Sequence, residues 1–146
     1  MSNISKLKDL TQLTYDSVEG YRKAYEKAEN PAFKSAIERR MNSRSKTYSN
    51  LNTALTTRGG ESISSVSTGG SIHQTFLKIS EAFSDGDDAA AERIEEGEEY
   101  LADQLRDALK DHDFADDASL RMLIEETYGE VREGERFGEM VEKQYS

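Results

Sequence analysis

Charged side chains on what should be apolar stripes are the first residues in this sequence that could do chemistry. Glu98 stands at core spacing between Ile94 and Leu101, with Glu95 one turn earlier. Arg40 and Arg44 hold the corresponding stripe between Ile37 and Tyr48, with Glu38 beside them. Asp16 adjoins Ser17, and Glu130 and Glu135 flank Val131 and Gly134. Ionised groups are rarely buried without partners, so two chemistries compete. In one, Asp16, Glu38, Glu95, Glu98, Glu130 and Glu135 supply carboxylates to a di-iron or di-manganese centre. In the other, Arg40 and Arg44 neutralise Glu95 and Glu98 in a semi-buried ion network that fixes helix register.

The metal reading has a sequence test. Di-metal bundles take a Glu from each of two helices and a Glu-x-x-His from each of the other two. Here the residue three after Glu38 is Met41, after Glu95 it is Glu98, and after Glu130 it is Glu133. The two histidines, His73 and His112, fall outside the long periodic segments, and inward arginines would repel cations. The ion network is therefore favoured, with no metal and no cofactor expected. No Gly-rich phosphate loop is present, because Gly59-Gly60 and Gly69-Gly70 lack a following Lys-Ser/Thr. With no Cys there is no disulfide, thiolate site or cysteine nucleophile, which suits a reducing cytoplasm. No catalytic set is complete, and an enzyme is not expected.

Those side chains need rigid elements to hold them, and the pattern supplies helices. One Pro and 33% charged residues in a 146-residue chain favour helix over strand. Leu7, Leu10, Leu13, Ser17, Tyr21, Ala24 and Ala28 recur at three- and four-residue steps and predict a first helix over about 5–29. Asn30 should cap a second helix that starts at Pro31 and runs to about Thr57. Arg58-Gly59-Gly60 ends it, and 61–70 reads as loop. Ile72, Phe76, Ile79 and Phe83 predict a short helix over 71–83 within a long crossover. A turn at 84–87 should also cap the third helix, which runs over 88–110. After a polar turn at 111–117, a fourth runs over 118–144. The result is one all-α domain over 1–146, a four-helix bundle with a long crossover between the second and third helices, as in ferritin-like folds.

Five glycines, Gly20, Gly97, Gly129, Gly134 and Gly138, fall inside these helices at a cost of about 1 kcal/mol each. Gly134 and Gly138 predict a groove for a neighbouring backbone or a ring such as Tyr21, Tyr25 or Tyr48.

The net charge of -10 argues against a nucleic-acid backbone as partner. It is unevenly placed: residues 1–84 carry 12 Lys+Arg and 8 Asp+Glu, whereas residues 85–146 carry 7 and 21, so the two parts should attract each other. The opening residues show no signal-peptide core, and no apolar run reaches the ~20 residues needed to span a bilayer.

Asp16-Ser17-Val18-Glu19-Gly20-Tyr21, together with Glu95-Glu96-Gly97-Glu98 and Arg106-Asp107-Ala108-Leu109, resembles a family of bacterial four-helix proteins. That family is known as domain of unknown function 2383, in the ferritin-like clan. The likeness extends to Asn30-Pro31-Ala32, Gly59-Gly60 and the turn at 85–88. It implies a ferritin-like bundle and no particular activity. Some relatives carry a His late in the fourth helix where this chain has Glu135, which weakens the metal reading further. The expected function is that of a non-enzymatic, stress-related bacterial bundle that forms a homodimer or larger homo-oligomer, or binds a protein partner. The glycine grooves, Tyr15, Tyr100 and Tyr145 on the surface, and Ile72 and Phe76 motivate that expectation.

Overall fold

The computed structural model describes residues 2–67, 81–112 and 114–145. Four long helices account for most of them: α1 (Ser2–Lys27), α2 (Pro31–Thr57), α3 (Asp87–Lys110) and α4 (Ala118–Tyr145). A single 3-10 turn, Phe83–Asp85, precedes α3, and there is no strand among the described residues. The predicted crossover helix over 71–83 lies almost wholly outside the described residues.

Local chemistry explains each boundary. Asn30 caps α2 by accepting from the Ala32 and Phe33 amides, at 2.9 and 3.1 Å, while Pro31 sits where a missing N–H costs nothing. At the other end Gly59 turns the chain at φ +91°, and the Gly60 amide closes on the Leu55 carbonyl. Between α1 and α2 the chain needs only three residues, so the two form an antiparallel hairpin. The connection after α3 is longer, seven residues over 111–117. It is closed by His112 in the left-handed region (φ 59°) and capped by Asp117, which accepts from the Leu120 amide at 3.1 Å.

The third helix differs from expectation at its start. The turn before it does not cap it through a side chain: Gly86 occupies the cap position without a side-chain bond. The carboxylate of Asp87 instead accepts from the Asn30 amide at 3.0 Å, clasping the start of the second hairpin to the joint of the first.

Packing follows the stripes. Leu7, Leu10 and Leu13 meet Leu51 and Leu55 of α2, Leu101 and Leu105 of α3, and Leu120 and Ile124 of α4 in one apolar cluster. Tyr21, Ala24, Phe33, Ile37, Ala91, Ile94 and Phe137 make a second. The first cluster joins the start of α1 and end of α2 to the end of α3 and start of α4. Hence α2 and α3 run in the same direction, and the end of α2 and the start of α3 lie at opposite ends of the bundle, about 40 Å apart for helices of this length. Each buried Leu removes enough apolar surface to contribute about 1.5–3 kcal/mol. Buried hydroxyls are satisfied by their own helices: Thr11 donates to the Leu7 carbonyl and Thr14 to that of Leu10.

Two surface expectations are corrected. Tyr15 and Tyr100 are half-buried against the first cluster, and Tyr15 meets the Tyr48 ring edge-on at 5.1 Å. Phe114, in what reads as a polar turn, is fully buried.

Candidate functional site: a charged layer in mid-core

Between the two apolar clusters lies a layer of charge. Arg44, from the middle of α2, has no exposed surface and Glu98, from the middle of α3, has 1%. They meet in a bidentate pair, Nη1 to Oε1 at 2.9 Å and Nη2 to Oε2 at 2.5 Å. The planar fork of a guanidinium fits a carboxylate in just this way. Nε of Arg44 donates to Glu130 Oε1 of α4 at 2.7 Å, and Nη1 also donates to the Ser17 hydroxyl of α1 at 2.9 Å. All four helices therefore meet on one guanidinium.

Arg40, one turn back on α2, donates to the other oxygen of Glu130 and, at 2.9 Å, to the Glu130 carbonyl. The residue that bridges the two arginines is thus Glu130, while Glu95 is half-buried on α3. Two positive and two negative groups leave the layer neutral. Burial works against the charge on Arg44, but Glu98, followed by Glu130, outweighs it and raises its pKa well above the ordinary value. The ring of Tyr21 lies 5.7 Å from the Arg44 guanidinium carbon. Burial first, and then the Glu98 carboxylate, push the Tyr21 hydroxyl far above its usual pKa. That hydroxyl and Arg40 Nε are buried without a hydrogen-bond partner among the described residues.

Gly134 makes this geometry possible. A Cβ there would fall inside the contact shell of Glu98 Oε2, 2.9 Å from Glu98 Cδ and 3.0 Å from Arg44 Nη2. The glycine is a socket for the ion pair and not, as the sequence suggests, a seat for a tyrosine ring or a backbone. Gly129 has no such role, because a Cβ there would meet nothing within 4 Å.

The other sequence-derived carboxylates go elsewhere. Asp16, although buried, holds the chain that follows α2: it accepts from the Ser67 amide at 3.1 Å and the Ser67 hydroxyl at 2.5 Å. Gln12 bonds the Ser65 carbonyl, Tyr48 that of Ile63, and Asn52 the Ile63 amide, with the Ile63 side chain in the core. Residues 61–67 thus form a strap across α1 and α2. Glu38 is exposed on α2, and Glu135 pairs with Arg132 at 3.1 Å. No three His, Asp or Glu side chains among the described residues are arranged to hold a metal ion. With guanidinium groups between Glu98 and Glu130, this donor set does not suit a dinuclear metal centre. His73 lies outside the described residues. On the solvent side a shallow groove between α2 and α4, lined by Ser43, Thr47, Asn50 and Thr127, reaches Glu130.

Sequence reasoning missed the strap, the Asp87 clasp and the Arg58–Asp117 pair (2.9 Å), since none lies on a helical stripe. Phe114 alone left a signal, as the one aromatic in an otherwise acidic turn.

The family model described as Domain of unknown function (DUF2383) matches residues 2–111. The chain belongs to that family. No curated protein and no solved structure matches it. The DUF2383 match runs from α1 into the turn after α3, so Ser17, Tyr21, Arg40, Arg44 and Glu98 lie inside it, whereas Glu130 and Gly134 lie beyond. No helix among the described residues is long and apolar enough to cross a membrane.

Proposed function

We propose that this DUF2383 protein is a non-enzymatic cytoplasmic bundle that works by protein association, with its own copies or with a protein partner. One observation carries the reading: the inward carboxylates Glu98 and Glu130 are bonded to Arg44 and Arg40 in a neutral layer. A layer closed on itself offers neither a vacant ligand nor a free base, and the outer faces of the helices are left for recognition.

The test separates this reading from a di-iron or di-manganese protein. Glu98→Ala or Arg44→Ala strands a buried charge and should cost about 3–5 kcal/mol of stability by urea unfolding. Glu98→Gln should cost less, because the amide oxygen still accepts from the guanidinium. Glu98→Ala with Arg44→Met leaves Arg40 and Glu130 as a neutral pair and should recover much of the loss. The wild-type melting temperature should be indifferent to added iron(II) or manganese(II). A metal-dependent rise that disappears in Glu98→Ala would establish the metal alternative instead.

A further inference from the structure

The outer face of α4, opposite its buried residues, is organised in a way its own fold does not require. Met122 and Met140 are 62% and 59% exposed, well above the other exposed large hydrophobics, Ile4 and Val66, among the described residues. Eighteen residues are five full turns, so the two methionines lie on one line of the helix about 27 Å apart. Glu126, Gly129, Glu133 and Arg136 fall within about 40° of that line. All are exposed. Gly129 weakens the helix there, and no contact among the described residues accounts for it. Neither Glu126 nor Arg136 has an ion-pair partner among the residues whose side chains the structure describes.

We propose that two copies of the chain pair antiparallel through this face, about a two-fold axis level with Val131. The register follows from the residues. Setting Met122 opposite Met140 of the second copy also sets Glu126 opposite Arg136, and Gly129 opposite Glu133. An isologous interface must be complementary to itself, and this stripe is: apolar meets apolar at both ends and acid meets base inside them. Near the axis, the missing Gly129 side chain leaves space for Glu133. Arg40 Nη1 lies 3.9 Å from Glu133. One helix pair is a small interface, so association is concentration-dependent. This inference rests on the association reading above and names its surface.

Sedimentation velocity of the full chain from about 1 to 500 µM tests it. The expected result is a monomer–dimer equilibrium that Glu126→Arg or Arg136→Glu alone weakens by about tenfold or more. The two swaps together should restore it. The positions are about 15 Å apart along one helix, so rescue requires two copies. Gly129→Gln should also weaken the dimer while raising the helicity of the monomer, which distinguishes a lost contact from a misfolded chain. A dimer indifferent to these changes, or not rescued by the double swap, overturns this surface and leaves association standing. A 16.4 kDa species at every concentration removes both this surface and the self-association reading.

Discussion

Gly134 differs from alanine by one methyl group, and Glu98 already fills the space that methyl would need. Helix propensity alone makes Gly134→Ala favourable by about 1 kcal/mol. Overpacking a buried pair reverses that, and a net loss of about 1–3 kcal/mol is expected. In a Glu98→Ala background only the movable tip of Arg44 remains near the added methyl, so the same substitution should become neutral or stabilising. Urea unfolding of the four proteins in the cycle reads this change of sign, and a loss in both backgrounds would exclude the socket. The periodicity of α2 and α3 already places Arg44 and Glu98 on inner faces, because a charge at core spacing is conspicuous. The periodicity of α4 likewise places Gly134 inward. What it cannot give is which side chain of another helix each of them meets. Gly134 thus reads as a seat for a ring, and Glu130, at the edge of its stripe, as a candidate ligand instead of the bridge between two arginines.

At the scale of elements, signals carried within a few residues are legible and long-range ones are not. Asn30-Pro31, Arg58-Gly59-Gly60 and the apolar stripes place the boundaries of α1, α2, α3 and α4 to within a few residues, since cap and breaker act on their own neighbours. The strap over 61–67 reads as plain loop because what orders it lies on α1 and α2: Asp16, Gln12, Tyr48 and Asn52. The same holds for Asp117, whose carboxylate joins the start of α4 to Arg58 at the end of α2. The hydrogen bond from Arg58, then that from the Leu120 amide, lower its pKa from 3.8 to about 2. A lowered carboxylate stabilises the fold above its unfolded pKa, and that contribution is lost as pH falls through the folded value. Asp117→Asn should therefore lower the melting temperature at pH 5 to 7. The gap between variant and wild type should close between about pH 4 and pH 2. A gap that persists unchanged at pH 2 would mean that the carboxylate's charge contributes nothing.

Across the whole molecule, the all-α bundle was legible because every long periodic segment has the helical period, and the charge asymmetry foretold that one part of the chain attracts the other. The ion pairs show where. Arg40–Glu130, Arg44–Glu98, Arg44–Glu130 and Arg58–Asp117 all run from the α1–α2 hairpin to the α3–α4 hairpin, as does the clasp from Asp87 to the Asn30 amide. With the apolar clusters also shared, each hairpin holds half of a core and half of a charge balance. A chain cut between residues 74 and 75 and supplied as two fragments should reassemble one to one. Helicity should rise on mixing, and should rise less in about 1 M salt, where the Debye length falls to ~3 Å. Fragments that do not combine would show that the hairpins lack mutual affinity. In binding language the two hairpins are receptor and ligand written into one polypeptide. The crossover between them then acts as a tether, setting the local concentration at which each finds the other.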